Sequence, residues 1–408
     1  MIVRQFLHWI RDASAGERAE ATSALARAYL HSDLATDDLA AAEGAMIMLL
    51  DDPSPRVRRA MADVFASSQK APRVVVHALA ADQTEVALPL LERSPLLEAD
   101  DLVDLMATAE PEAQVAIASR ALLPRSLAAA IAEVGAGEAC LALLENPAAV
   151  IPAFSVNRIV ERFGHLAPIR ENLLDRDDLP APMRQALLSK LSQTLAGFVA
   201  ARQWMGTDHA DHATREACEK ATVVLAADTP YDEVGALVAH LRRTEQLTAG
   251  MLLRALLSGN VVLFEEALAE LSGLPIDRVT GYIHDKTISG FHALYRKAAL
   301  PEIAYPAFRE AIAALREGVL VGGRGGVGRL KRRMVERVLD ACTRERGADT
   351  APLLILLRRF AVEAAREEAR LLCDDLAASR PVVVVDHVPD RPYRAAVMPP
   401  AAEIRMVA

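Results

Sequence analysis

Residues 49–58 read Leu49-Leu-Asp-Asp-Pro-Ser-Pro-Arg-Val-Arg58, a polar break between two apolar segments. Asp or Ser in such a break can cap the N-terminus of the next helix, and Pro is tolerated in its first turn. Beyond the break, Val57, Met61, Val64 and Phe65 recur at i, i+4, i+7 and i+8, which places them on one helical stripe. The stretch therefore predicts a tight turn followed by an amphipathic helix that packs against a neighbour.

The same break recurs through the first half of the chain, with a polar residue followed about five residues later by an apolar one. The polar positions are Asp52, Asp82, Glu110, Asn146 and Asp178. Successive positions are 28 to 36 residues apart, a length that fits a pair of short helices in each repeat. Such a pair buries its apolar face only by stacking on its neighbours. We expect residues 1–200 to form HEAT-like antiparallel helix pairs. The residues expected to be buried between units are Val57, Val115, Ile151 and Met183.

The second half keeps helical periodicity although the repeat is weaker. Candidate helices cover about 211–227, 231–244, 247–258, 260–272, 275–284, 288–299, 302–317, 328–346 and 350–378. Short turns between them indicate antiparallel neighbours, so residues 201–380 form either a continuation of the solenoid or a helical bundle docked onto it. From residue 381 to 408 prolines interrupt the sequence, and we expect a flexible tail in which Val382–Val385 could add as an edge strand to a partner.

Composition favours the same fold class. Hydrophobic residues make up 52% of the 408 residues, which is enough for a large core. Aromatic residues, on which β-strands draw, make up only 4%, and 20 glycines are few for the turns of a sheet protein. We therefore predict an all-α protein, a HEAT-like α-solenoid that continues into a helical C-terminal half and ends in a short disordered tail.

Charge, cysteine content and hydropathy indicate the cellular compartment of the protein and the kinds of partner it can bind. The formal net charge is −9, so no overall positive field attracts a polyanion. The four cysteines are far apart and contain no C-x-x-C pair, which favours reduced thiols over a disulfide framework. Because no run of about 18 uncharged apolar residues occurs, we expect no membrane span. Residues 1–11 lack a signal-peptide cleavage pattern, and together these features predict a cytoplasmic protein.

Four stretches carry a resemblance to a known family. They are Arg18-Ala-Glu-Ala-Thr-Ser-Ala-Leu-Ala-Arg-Ala-Tyr-Leu30, Leu49–Arg58, Leu91-Glu-Arg-Ser-Pro-Leu-Leu97 and Cys140-Leu-Ala-Leu-Leu-Glu-Asn-Pro147. Through them, residues 1–380 resemble the bacterial family called domain of unknown function 2336, most specifically in the first 200 residues. The resemblance implies a HEAT-like helical fold and carries over no catalytic residue.

A glycine-rich segment, Gly323-Arg-Gly-Gly-Val-Gly328, matches the spacing G-x-G-x-x-G. A dinucleotide site needs this turn between a strand and a helix, so that backbone N–H groups meet the pyrophosphate. Here a helical pattern at about 302–317 precedes the motif without a strand pattern, and Arg329 stands where a P-loop requires lysine. We therefore predict that Gly322–Gly328 is a mobile connector between helices that binds no nucleotide.

The same segment opens a basic stretch, residues 324–346, with eight cations against three acidic residues. Arg and Lys here could hold phosphate, nucleic acid or an acidic partner at the start of a helix. The candidate anion- or partner-binding residues are Arg329, Lys331, Arg332, Arg333 and Arg337. A solvated helix face, or one that covers acidic residues of the neighbouring repeat, is the alternative interpretation. No aromatic residue interleaves the stretch, so stacking on nucleobases is unsupported.

A second cluster combines His209 and His212 with Glu216 and Cys218. His212 and Glu216 share a helical face and are admissible zinc ligands. No second ligand pair has the spacing of a structural zinc site, and His209 falls before the predicted helix. We therefore interpret the cluster as a solvent-facing first turn capped by Asp208 or Asp211, and predict no metal site.

A third cluster surrounds His284, Asp285 and Lys286, with His292 and Tyr295 beyond. Adjacent residues at a helix end point in different directions, which favours a capped turn between helices over a catalytic triad. His292 and Tyr295 share a face at i, i+3 and are expected to pack with one end in water. Since no known catalytic signature occurs elsewhere, we predict no enzyme activity.

These observations order three hypotheses of function. The first is a non-catalytic protein-interaction scaffold or regulator without a cofactor, whose partner is another protein. The alternative is a regulator that binds nucleic acid or a phospholigand through the basic stretch, and binding of nucleic acid is disfavoured by the overall negative charge. An enzyme that uses the His284 region is the third.

Overall fold

A computed structural model of the chain describes Trp9 and residues 12–284, 288–317, 326–344 and 351–378. In these ranges the secondary structure is entirely helical, with twenty-one α-helices, a short 3-10 helix at Glu302–Ala304 and no strand. The prediction of an all-α protein is confirmed. The expected tail at residues 381–408 lies outside the described residues.

Twelve helices cover the first half of the chain, and nine follow. The first set is α1 Ala15–His31, α2 Thr36–Leu49, α3 Pro55–Phe65, α4 Arg73–Ala80, α5 Thr84–Arg93, α6 Ala99–Thr108, α7 Pro111–Ala118, α8 Arg125–Val134, α9 Gly137–Glu145, α10 Ala153–Phe163, α11 Ala167–Leu174 and α12 Ala181–Ala201. The second set is α13 Thr207–Asp228, α14 Tyr231–Arg243, α15 Ala249–Leu257, α16 Val261–Ser272, α17 Ile276–His284, α18 Ile288–Lys297, α19 Tyr305–Arg316, α20 Gly326–Arg344 and α21 Ala351–Ala378.

Helices of the first half stack in two rows. The helices α1, α3, α5, α7, α9 and α11 contact one another in that order, while α6, α8, α10 and α12 form a second row. Each helix thus packs on the second helix along the chain, as expected when successive helix pairs stack. The more specific HEAT-like solenoid geometry stays a prediction.

Two hydrophobic cores run through the protein. One extends from Ala19 to Leu187 and the other from Ala181 to Ala364, so α12 contributes to both. Among the residues expected between units, Val57 is fully buried. The other three are only half-buried at the edge of the first core, because the residues that fill it lie further along their helices or in the next one. Those half-buried residues are Val115, Ile151 and Met183. The domain boundary at residue 200 stays a prediction.

Ion pairs, rather than helix caps, occupy the polar breaks of the first units. Asp52 accepts hydrogen bonds of 2.8 and 2.9 Å from Arg18, and its Oδ1 accepts another from the Ser54 amide. Arg58 forms the equivalent pair with Asp82 in the next unit. Ser54 precedes α3 without a side-chain hydrogen bond to the helix, so the expected cap is wrong at this break. At this break Asp52 instead accepts hydrogen bonds from Arg18 of the preceding unit.

A polar network joins α12 to α14 where the two cores meet. The Nε2 group of Gln185, a fully buried residue, donates to Ser189 and to Gln246 Oε1. Its Oε1 is then left to accept, at 3.0 Å, from His240 Nε2. The other ring nitrogen of His240 accepts from Arg243 at 3.1 Å. Both contacts require a neutral imidazole with its proton on Nε2.

Acidification is expected to weaken this junction. Burial, reinforced by the charge of Arg243, lowers the pKa of His240 below its ordinary value. In the unfolded chain His240 is protonated near pH 6.5, whereas in the folded chain it stays neutral at that pH. The free energy of unfolding therefore falls as the pH drops through that range. Urea unfolding of the wild type and His240→Gln at pH 7.5 and 5.5 tests this: the wild type should lose more stability. Equal losses in both proteins would contradict the expectation.

Candidate functional site

The basic stretch forms the helix α20, whose cations face acidic neighbours. Lys331 lies 3.1 Å from Glu367, while Arg332 pairs with Glu336 at 2.7 Å and Glu368 at 3.1 Å. Arg337 donates to both oxygens of Glu317, at 2.5 and 2.8 Å. These hydrogen bonds lower the pKa of the Glu317 carboxyl. Three cations of α20 are thus paired with carboxylates of α20, of α21 and of the residue that follows α19.

Two candidate cations of α20 differ from these three. Arg333 is exposed and has no carboxylate partner among the residues that the structure describes. The side chain of Arg329 and residues 318–325 lie outside the described part. The helix begins at Gly326, so the last three residues of the glycine motif are helical rather than part of a connector, which corrects that prediction. Binding of an anion by this face stays a prediction.

The His209 cluster lies within α13, and two of its members contact Arg359. The helix begins at Thr207, earlier than expected, so His209 falls inside it, and Gly206 stands at the cap position without a side-chain bond. His212 Nε2 and the Glu216 carboxylate each accept a hydrogen bond of 2.9 Å from Arg359. Across the described ranges, no group of three His, Cys, Asp or Glu side chains is placed to bind a metal.

In the His284 region, His284 contacts a different partner from His292 and Tyr295, whose rings both pack against Tyr305. His284 ends α17, and its Nε2 lies 2.9 Å from Glu265. Tyr295 is fully buried and donates its hydroxyl proton to the carbonyl of Pro301 at 2.6 Å. His292 packs its half-exposed ring 4.6 Å from that of Tyr305. Asp285 and Lys286 lie outside the described residues.

A helical hairpin of α12 and α13 ends in an exposed aromatic cluster that we call the aromatic tip: Leu195, Phe198, Arg202, Trp204 and Met205. Phe198 is 46% and Trp204 65% exposed, with their rings edge to face at 5.8 Å. The Arg202 guanidinium lies 4.4 Å from the ring centre of Phe198 and 5.6 Å from that of Trp204. The structure therefore presents a preformed apolar surface with one cation in it.

Backbone geometry fixes the position of Trp204. Gln203 adopts a left-handed conformation with φ of 55°. The amide of Gln203 donates to Ala200 and that of Trp204 to Val199, the paired bonds of a Schellman motif at a helix C-terminus. Sequence reasoning missed this site, although a tryptophan directly after a helix end in a chain with only two tryptophans was a usable signal.

A cavity of about 890 Å3 lies between α13, α14, α15, α16, α20 and α21. Its basic side chains are Lys220, Arg254, Lys331, Arg366 and Arg370. Arg254 is only 6% exposed and pairs with Glu363 and, more weakly, with Glu216. We call this the basic cavity. Its sequence signal was the single arginine within the otherwise apolar run Met251–Leu257.

Comparison with known proteins places the chain in a family. The sequence profile of a family described as an uncharacterised protein conserved in bacteria, domain of unknown function 2336, matches residues 86–346. The chain belongs to this family. No curated protein and no solved structure matches it.

The match to the 2336 family covers fewer residues than the resemblance over residues 1–380 suggested. It contains the aromatic tip and most of the basic cavity, while α21, which forms the remaining wall, follows it. The helices α1 to α4 precede it. Among the described helices, none combines the length and the apolar character needed to span a bilayer.

Proposed function

We propose that this protein is a non-catalytic, cytoplasmic interaction protein that binds another protein through its aromatic tip. The observation that carries the proposal is the exposed pair of Phe198 and Trp204 with Arg202 stacked on both rings. Support for the cytoplasm comes from the sequence, whose four cysteines are far apart and contain no C-x-x-C pair.

The composition of the aromatic tip is typical of a binding hot spot. Trp and Arg are enriched among the residues that carry most of the binding energy in protein interfaces. A large ring that is already held in place loses little conformational entropy when it enters a partner's pocket. Trp204 meets this condition because the Schellman bonds fix its backbone and Arg202 lies against its ring. The fitting partner is a protein with an apolar pocket for the Trp204 ring and a carboxylate at its rim for Arg202.

Charge favours such a partner over a lipid surface. A peripheral segment that binds anionic lipid carries several Lys or Arg residues near its apolar side chains. The aromatic tip contains the single cation Arg202, and Asp208 and Asp211 follow in the first turns of α13. These carboxylates oppose contact with an anionic bilayer.

The test compares Trp204→Ala with Leu122→Ala, which truncates an exposed leucine in the turn between α7 and α8. Proteins from a bacterial lysate that bind the immobilised wild type are identified, purified and titrated against each variant. We expect Trp204→Ala to raise the Kd of a specific partner about 30-fold or more, and Leu122→Ala to leave it unchanged.

Three results would contradict the proposal. One is that no purified partner binds saturably, and another is that both variants bind it alike. The third is that Trp204 proves necessary for a different event, either sedimentation with phosphatidylglycerol vesicles or self-association in analytical ultracentrifugation, which would replace the protein partner by a membrane or a second copy.

A further inference from the structure

The walls of the basic cavity carry more positive than negative charge. Five cations line it, against the two carboxylates Glu363 and Glu367. Lys331 is paired with Glu367, but Lys220 lies 3.9 Å from a Glu363 oxygen that already accepts a 2.5 Å hydrogen bond from Arg254. Arg366 and Arg370 have no ion-pair partner in the described part of the chain, and both are exposed at the opening. The surplus charge favours an anionic occupant.

Arg254 supplies a buried donor in the same wall. Its guanidinium stacks over the Phe360 ring at 4.3 Å, and its two terminal nitrogens contact Glu363 and Glu216. Its Nε–H group is buried and has no hydrogen-bond partner among the described residues. Buried donors are almost always paired in folded proteins, so the unpaired Nε–H leaves the positive charge of Arg254 incompletely compensated at this wall.

Helix ends add to the positive potential. The cavity lining includes Thr229 and Tyr231 at the start of α14, and Asn260 to Val262 at the start of α16. Both helices are longer than three turns, and the N-terminus of an α-helix carries free N–H groups and the positive end of its dipole. The start of α16 has no acidic residue in its first turn and favours a carboxylate or a phosphate group, while Asp232 and Glu233 reduce the contribution of α14.

Most of the remaining lining is apolar. Val223, Val335 and Phe360 are buried in the wall, and Val224 and Val262 lie closer to its surface. An inorganic anion would leave this apolar surface without a counterpart. The volume lies in the range of small-molecule sites, which join an apolar lining to a few polar groups.

We propose that the basic cavity binds a small amphipathic organic anion, with its carboxylate or phosphate group among Arg254, Arg366 and Arg370 and its apolar part against the valines and Phe360. This site is separate from the aromatic tip and does not depend on the proposed partner protein. It also gives Lys331, one of the cations singled out in the sequence, a place beside the ligand.

The test uses four ten-carbon probes that share one tail: decanoate, decyl phosphate, decanol and decyltrimethylammonium. Isothermal titration of the full chain should give saturable binding of at least one anion, with decanol and the cation at least 10-fold weaker. The stronger of decanoate and decyl phosphate then distinguishes a carboxylate ligand from a phosphate ligand.

Variants locate the binding. Replacing Arg366 and Arg370 together by Gln should weaken the anion at least 10-fold, because both side chains are exposed and unpaired and their loss leaves the fold intact. Arg358→Gln, an exposed position on the same helix outside the basic cavity, serves as the matched control. Val224→Trp, which fills the opening, should abolish binding of the same probe.

The proposal is wrong if neither anion binds saturably, if decanol binds as tightly as the anions, or if the double variant keeps wild-type affinity. Trp204→Ala should bind the probe normally, so failure of the partner proposal and failure of this one are distinguishable.

Discussion

Replacing Phe308 by alanine is expected to lower the free energy of unfolding by about 3–5 kcal/mol, the range for a large aromatic side chain removed from a packed core. Phe308 is fully buried in α19. Its ring stacks on Phe264 of α16 at 5.7 Å, with 16° between the planes, and lies 5.4 Å from Tyr295 of α18. One side chain thus connects three helices of the second core, and its removal leaves a cavity that all three border.

Urea unfolding followed by far-ultraviolet circular dichroism measures the effect. Phe154→Ala is the control, because the same ring is 68% exposed at the start of α10 and its loss should change stability by about 0.5 kcal/mol or less. A Phe308→Ala variant that loses less than about 1 kcal/mol would show that the second core tolerates a large cavity, contrary to the packing described above.

The sequence predicted most of the fold because helix starts and apolar periodicity are local features. The nine helices expected in the second half all occur, with ends shifted by a few residues. The burial of Val115 and Ile151 was less predictable, since the first apolar residue after a break need not face the core that the whole array forms. The hydrogen bonds of Asp52 could not be predicted from the sequence either, because its partner Arg18 lies in a helix 34 residues earlier.

The candidate sites were harder to predict because they form between distant helices. Periodicity placed Lys331, Arg332 and Arg337 in one helix, but it contains no information on the carboxylates that α19 and α21 bring to them. The basic cavity joins Lys220 of α13 to Arg370 of α21, 150 residues apart in the chain. Local patterns signal residues of unusual type, such as Arg254 in an apolar helix, and tertiary packing decides what surrounds them.

Arg120 is a buried cation, and no local sequence pattern indicated its burial. It follows α7 and is only 8% exposed. Its guanidinium donates to the carbonyls of Leu91 at 2.6 Å and Ser94 at 2.5 Å, with a weaker contact to Leu90. These carbonyls end α5, where the negative end of the helix dipole favours a cation. Burial lowers the pKa of Arg120 below its ordinary value, but that value is so high that the side chain stays charged at physiological pH.

Replacing Arg120 by methionine is therefore expected to destabilise the protein by about 3 kcal/mol, because the carbonyls of α5 lose their donors in a site closed to water. Arg120→Lys should lose less, since one ammonium keeps the charge but cannot span carbonyls that two guanidinium nitrogens reach. Arg125→Met, an exposed position nearby, is the control and should be close to neutral. Because Arg120 stays charged, the loss in urea unfolding should be the same at pH 6 and pH 8. Equal stabilities of Arg120→Met and Arg125→Met would mean that the guanidinium adds nothing beyond its apolar stem, and that stacking of the apolar faces alone holds α5 against α7.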